Sequence, residues 1–567
     1  AYRIVEDVLL RRSPMLTTTH RRHKLAALLA AGMLTSLGVL TGAAPRHVPA
    51  IPNGGTIIAA EADTPDSLNP YLNQQLSTVD IDSAVFDGLV KVGDKGQFMP
   101  DLATHWTSSA NGTHWIFYLN PKATWQDGLP VTAKDVVFTA KLVKNPLFPA
   151  TSTLGFDHIK TIKAVGNDKV DITLTKPYAP FLQYYAANFV LPQHVLGQIA
   201  VDKIRTDAQY NRRPLGSGPF KISEFVAGDH ITLVANKAYF LGAPHLDKII
   251  FRIVPHSATV LNQLHTGEVT LAGQTADLDA RQFNQLKHVP GLRTYNTPGF
   301  NWQHIDLIET GFLKDVKVRQ ALMTATPRER IIKDVALGYG VPQYSDQAPA
   351  KPVYNPAVEK FWPYNPARAA AMLAADGFTK GSGGVLQKGG VPFNVTMYVD
   401  AAFAAQVQIV EIVKQAWAQI GVNVTARPLD PATLFGRRGP LYDPNRLTSS
   451  AMKAVEYEWI EPADPDDSFF WSSSNIISAK VKAGGNFDGY SNPVVDRLIA
   501  QGLVTTDAAQ RKAIYQKLQL ILANDVPDIW LYWANVLTVA TSKLHNYDPN
   551  PFNYATAWNA KDWYLTS

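Results

Sequence analysis

"PDLATHWTSSANGTHWIFYLNPKATWQDGLPVTAKDVVFTAKLV" runs from Pro100 to Val143. It places two turns, three tryptophans and a helix start within one stretch. The HWIFYLN segment, His114 to Asn120, has strand composition, and Gln126-Asp127-Gly128 makes a turn. Thr132 is a good N-cap, and Asp135 three positions later suits the positive end of a helix. Val136, Val137, Ala140 and Val143 then recur at helical spacing and predict one buried face. Nothing in the run is arranged for catalysis, so it reads as scaffold.

Outward from it, the chain alternates strand and helix patterns. Val170, Ile172 and Leu174 alternate in KVDITLTKPY, as do Ile249, Phe251 and Ile253 in KIIFRIVP. Such alternation means one buried and one exposed face. Phe393, Val395, Met397 and Val399 alternate again. Val407, Val410, Val413, Trp417 and Ile420 follow at helical spacing, Gly421 as stop, and VNVTARPL alternates after that. Strand, helix and strand at this spacing predict a parallel βαβ crossover. Asn365-Pro366 starts a helix that Gly377 ends. Asp507 caps another with Gln510 opposite, its buried face being Ile514, Leu518, Ile521 and Leu522.

At 567 residues the chain exceeds a single core, and two to four domains are expected. Hydrophobic residues at 46% and charged ones at 18% describe an ordinary globular protein. The net charge of +5 is spread with no long basic run, which argues against nucleic acid as partner. Cysteine is absent, which excludes disulfides, thiolate metal sites and cysteine nucleophiles. Near the N-terminus HRRHK, His20 to Lys24, precedes twenty uncharged residues that end in small ones at Thr41, Ala43 and Ala44. That order predicts an export signal starting at Met15, with residues 1–14 an upstream extension; the alternative is an uncleaved N-terminal anchor.

Catalytic and metal motifs do not emerge. PLGSGPF, Pro214 to Phe220, lacks the outer-glycine spacing of a nucleophile elbow, and KGSGG lacks the Lys-Ser/Thr of a phosphate loop. The fourteen histidines are scattered, with no pair at metal-ligand spacing after the signal region. Asp464–Asp467 lacks the Gly and distal Glu of a calcium loop and reads as a turn. The expectation is therefore a protein without catalytic residues, cofactor or metal.

The opening run resembles the signature of the extracellular solute-binding proteins of family 5, the peptide, dipeptide and nickel receptors of ABC importers. Further segments resemble that family in the same order: DSLNPYLNQQLSTVDIDSAVFDGLV, LGSGPFKISEF, DVKVRQALMTATPRERI, YNPARAAAMLAADGF, AQIGVNVTARPLD, and the stretch from Gly489 to Tyr532. The resemblance implies an α/β, two-lobed periplasmic-binding-protein fold (type II, cluster C) with an extra third domain. Residues 1–50 would be extension plus signal or anchor. Domain I would be 51–88, 211–300 and 528–567, domain II 89–210, and domain III 301–527. It further implies an exported monomer, in the periplasm or at the outer face of the cytoplasmic membrane. Hinge closure would trap a peptide or other small solute for the permease subunits of an importer. An exported hydrolase on the same fold, or a sensory or chaperone-like binder of an oligosaccharide or metal chelate, are the alternatives.

In the peptide-binding members an Asp shortly after a Trp pairs with the ligand's ammonium group. The matching stretch here is YEWIEPADPDDSFFW, one residue shorter, which makes Glu461 and Asp464 after Trp459 the candidate anchors. By the same resemblance Glu61 lies at the cleft edge, Phe300 and Trp302 enter domain III, and Asn486 and Tyr490 line the cleft. Arg437, Arg438 and Arg446 are the candidates for a ligand carboxylate. Two departures stand out: LTGA puts Ala43 where many relatives have a lipidated Cys, and ATPRER, Ala325 to Arg330, replaces a usually acidic position.

Overall fold

The computed structural model describes residues 51–566 apart from 74, 277, 437, 483 and 554. The expected export segment and upstream extension lie outside these residues. Among the described residues no helix is long and apolar enough to cross a membrane.

The Pro100–Val143 run folds as its pattern dictates. His114–Leu119 is a strand with Trp115, Phe117 and Leu119 turned inward. Ala133–Val143 is a helix whose start is fixed by Asp135 Oδ2, which accepts from the Thr132 N–H at 2.8 Å. Val136, Ala140 and Val143 are buried, while Val137 is only half-buried. The stripe centres on Thr139 and Leu142 as well, so Val137 falls at its edge. A four-stranded antiparallel sheet accompanies this helix, in the order Ala103–Ser108, His114–Leu119, Lys169–Leu174, Ile159–Val165. Val170, Ile172 and Leu174 are its inward residues.

An eleven-stranded sheet spans the rest. Its order is Asn423–Leu429, Asn394–Asp400, Met452–Ile460, Leu292–Ile308, Asp528–Thr541, Leu271–Ala272, Thr56–Glu61, Lys248–Ile253, His230–Ala235 and Phe220–Val226, with Gly340–Pro342 paired onto Asp528–Thr541. Asn394–Asp400 and Asn423–Leu429 run parallel through the helix Ala404–Gln419, which is the βαβ unit expected. Val410, Val413 and Trp417 are buried beneath it, and Gly421 ends the helix at φ 82°, the left-handed region glycine tolerates. In Lys248–Ile253, Ile249 and Phe251 are buried and Ile253 half-buried.

The N-cap side chains bond as read, with only the N-cap half of the reciprocal Asp507–Gln510 pair formed. Asn365 Oδ1 accepts from the Arg368 N–H at 2.9 Å, and Asp507 Oδ1 from the Gln510 N–H at 2.8 Å. In the helix Ala508–Asp525, Leu518 and Leu522 are buried but Ile514 and Ile521 only partly, because Tyr515 takes the centre of the face.

Two long strands, Leu292–Ile308 and Asp528–Thr541, pair antiparallel, and their register breaks between Thr297 and Asn301. Pro298 there lacks a ladder donor, and a Cβ on Gly299 would sit 2.4 Å from the Ala534 carbonyl oxygen. One large core gathers Leu307, Met397, Trp417, Leu518 and Trp530; a second gathers Ile57, Phe117, Ile172, Phe251 and Trp563. The glycines of PLGSGPF serve packing. The Gly218 N–H donates to the Val85 carbonyl at 2.8 Å, and a Cβ on Gly216 would lie 1.9 Å from that oxygen. Ser217 between them is fully buried.

Candidate ligand-binding site

A cavity of about 660 Å³ opens where the loop after Met452–Ile460 faces the helix Leu76–Val85 and the C-terminal segment around Phe552 and Lys561. That volume lies in the range that encloses a small ligand. Trp459, Asp466, Asp467, Phe469 and Phe470 are among the residues of this stretch on the wall.

The loop carries four carboxylates, and long-range partners sort them. Glu461 is completely buried, with Lys351 Nζ 2.8 Å from its Oε2. Lys351 is itself 3% exposed and sits 5.2 Å from the centre of the Phe300 ring. Asp464 is held by Arg511 through two bonds of 2.7 Å, a bidentate fork. Both expected anchors thus serve internal cations, and neither lines the cavity. The loop then turns: Asp464 Oδ1 also accepts from the Asp466 N–H at 2.9 Å, and Asp466 and Asp467 reach the cavity wall. Asp466 Oδ1 accepts from the Ser468 N–H at 3.0 Å. Burial, reinforced by Asp464, pushes the Asp466 carboxyl up to about 6. Asp467 is raised well above the usual carboxylate range by burial and by Glu461 and Asp346, and accepts from Gln347 Nε2.

Of the residues singled out from sequence, Trp459 alone lines the cavity. The other described ones are not among its lining residues, for separate reasons. Phe300 is fully buried edge-on to Phe552, ring centroids 4.7 Å apart. Trp302 stacks on His304 and Trp533 and meets Phe470 edge-on at 5.3 Å, so it backs the wall by one layer. Asn486 is spent on its own loop, donating to the Tyr490 carbonyl at 2.9 Å and accepting from the Gly489 N–H at 3.0 Å. Tyr490 is buried, its hydroxyl donating to Asp525 Oδ2 at 2.8 Å. Glu61 is enclosed beside Asp80, its carboxyl raised mainly by burial, and its carbonyl accepts from the Val254 N–H at 2.7 Å. Arg446 is buried and donates to the carbonyls of Phe487, Ile477 and Asn486, a structural role; Arg438 is exposed, and Arg437 lies outside the described residues.

Sequence reasoning missed two groups. Asp87 and Asp101 line the cavity together; the Tyr239 hydroxyl donates to Asp87 Oδ1 at 2.8 Å and the Gly88 N–H to Asp101 Oδ2 at 3.1 Å. Burial pushes Asp87 up to about 6. The two are fourteen positions apart, and no local pattern pairs them. The second group is His304, Asp306 and Asp528, whose ligand-capable atoms lie within 4.8 Å of one another. Asp306 faces Asp528 across the sheet register, and the Tyr457 hydroxyl donates to Asp306 Oδ2 at 2.9 Å. The alternation His304-x-Asp306 was the one visible signal. All three are buried, and none lines the cavity.

Known proteins share this architecture. The oligopeptide-binding protein AppA of Bacillus subtilis (strain 168) is 27% identical over 527 residues, 90% of this chain and 92% of that protein. The structure of AppA in complex with a nonapeptide is similar at a TM-score of 0.75 and 25% identity, covering 91% of this chain and 100% of that one. CtaP, an ABC transporter substrate-binding protein of Listeria monocytogenes, is similar at a TM-score of 0.79 and 25% identity, again covering 91% and 100%. The α/β fold is therefore the two-lobed one of these binding proteins. Residues 97–476 match the family model for bacterial extracellular solute-binding proteins, family 5 Middle. With two thirds of its length under that model, this chain belongs to the family 5 bacterial extracellular solute-binding proteins, a family of binding proteins.

Proposed function

We propose that this protein is the exported, monomeric receptor of an ABC importer, and that it binds short peptides in the cavity beside Trp459. The observation that carries the reading is the stretch Trp459–Phe470: it puts an indole, two phenylalanines and two carboxylates on the wall of one cavity. The nonapeptide complex of AppA supports the ligand class, and the likeness to CtaP, an ABC transporter substrate-binding protein, supports the transport role. A peptide's α-ammonium pairs with Asp466 on the cavity wall, since Glu461 and Asp464 are held by Lys351 and Arg511 and Asp467 by Gln347. The domains divide as the family order implies, and the register break at Thr297–Asn301 is the hinge between lobes. No lipid anchor forms at Ala43, and permease subunits receive the closed receptor.

Saturating peptide at about a hundred times Kd stabilises the folded state by about 2.7 kcal/mol, visible as a rise in Tm. The radius of gyration falls on binding, and the peptide is recovered intact. Steady turnover of the peptide would instead mark a hydrolase.

The anchor has its own test. Asp466→Asn weakens a tripeptide with a free α-amine by at least about tenfold, 1.4 kcal/mol, the scale of a hydrogen bond to a charged group. The N-acetylated peptide, already lacking that charge, loses less than about threefold on the same substitution. Calorimetric titration of both peptides against both proteins decides it, and equal losses would remove Asp466 as the ammonium partner.

A further inference from the structure

Most of the charge on the cavity wall is settled within the protein. Asp87 and Asp101 hydrogen-bond each other, Ser217 and Tyr239 also reach Asp87, and Lys91 is the nearby counter-charge. Lys561 is engaged by Asp562, Nζ to Oδ1 at 2.5 Å, and Asp467 accepts from Gln347 Nε2. Uncharged polar groups of the wall are spent in the same way. The amides of Asn188 and Asn553 donate to the Tyr184 and Val92 carbonyls at 2.6 and 3.2 Å. The hydroxyls of Ser83 and Thr151 donate to the Asp80 and Tyr71 carbonyls at 2.7 and 3.3 Å. All four side chains line the cavity with these donors turned onto the backbone.

What the wall leaves open is apolar surface. Leu76, at the start of the helix Leu76–Val85, is 37% exposed, and Leu154, in the loop before Ile159–Val165, is 45% exposed. Both line this cavity. Phe189, Trp459 and Phe469 line it too and are only half-buried. The rings of Trp459 and Phe469 stack with centroids 6.0 Å apart and planes 24° from parallel. Phe469 is packed against Gly485, where a Cβ would lie 2.1 Å from its Cε1, so this stacked pair is held in place before any ligand arrives. Large apolar side chains converging from separate stretches on one concave space are stabilised when a ligand takes them out of water.

We infer that this cavity selects peptides by the bulk and apolarity of a side chain: the preferred ligand carries a large aliphatic or aromatic group, received among Leu76, Leu154, Phe189, Trp459 and Phe469. The inference rests on the cavity being the peptide site and deepens that reading by naming the class of peptide. Recognition through the main chain alone would treat side chains alike. A serine side chain covers little of this apolar surface, and a charged one gives up hydration on entering it.

Calorimetric titration of the purified chain with Phe-Ala-Ala, Ala-Phe-Ala, Ser-Ala-Ala, Ala-Ser-Ala and Ala-Lys-Ala, and with phenethylamine, tests it. The better phenylalanine peptide is expected to bind at least about tenfold more tightly than its serine counterpart, the scale of burying one such side chain. Leu154→Ser, a change at an exposed side chain, cuts that ratio severalfold, and so does Trp459→Ala. An unchanged ratio in both variants overturns the inference. Phenylalanine and serine peptides within threefold of each other at both positions, or Ala-Lys-Ala binding most tightly, also overturn it and leave the peptide-receptor reading standing. Binding of phenethylamine with no tripeptide bound does the reverse: the apolar selectivity stands and the peptide reading falls. Binding of none of these probes overturns both.

Discussion

Replacing Lys351 by methionine lowers the unfolding free energy of the ligand-free protein by about 3–5 kcal/mol, the scale for breaking a buried ion pair from one side. Methionine fills the volume of the lysine stem, so the loss is chiefly electrostatic. Both Lys351 and Glu461 have side chains that are 0% exposed. Asp346 and Asp467 feel the same lysine, and burial has already raised both of their carboxyls. Without the lysine these carboxyls lose the positive charge that favours their ionised forms. The double variant Lys351→Met/Glu461→Gln recovers about half of the loss or more, because removing both members of a buried pair is far milder than removing one. Urea unfolding followed by tryptophan fluorescence reports both values. A single-variant loss below about 1 kcal/mol would place the pair in a solvated environment instead.

Mild acid stabilises the ligand-free protein. Asp80 and Asp87, both buried, are held up at about 6, and burial raises Asp82 and Asp101 as well. An unfolded chain releases these protons near pH 4, whereas the native state keeps them. Between those values the native state binds more protons, so stability falls as pH rises and is gained as pH falls. The contribution is complete below the ordinary carboxylate range and is lost as pH rises through about 6. Lowering pH from about 7.5 to about 5.5 gains about 0.8 kcal/mol for each carboxyl held at that value. The urea midpoint of the apo protein is therefore higher at the acid end of that window. A midpoint that declines steadily across it would mean that these carboxylates are solvated or paired with cations in solution.

The elements themselves were legible along the chain. Alternation in KVDITLTKPY, helical spacing after Thr132 and the strand–helix–strand around Val407–Trp417 each depend on neighbours within one element. Caps behave the same way, since Asn365 and Asp507 bond donors three residues on. The ordered family segments carried the fold further, because their order along the chain matches that of a family with a known architecture. Even the half-buried Val137 and Ile514 are small errors of phase on a correctly placed face.

The site was another matter. Sequence placed the loop after Trp459 at the ligand, and the loop does line the cavity, but its carboxylates cannot be ranked from their order along the chain. Which one faces inward depends on Lys351, 110 positions away from Glu461, and on Arg511, 47 positions from Asp464. The pairing of Asp87 with Asp101, and the meeting of His304, Asp306 and Asp528 across two strands, arise the same way. Secondary structure is set by short-range sterics and periodicity, so it survives in the sequence. Charge compensation is set by distance in space under low dielectric, where a partner within 3 Å dominates whatever its sequence separation. The sequence by itself determined the elements, their order and the loop; only the tertiary structure decided which of that loop's acids are spent on internal cations and which reach the cavity wall.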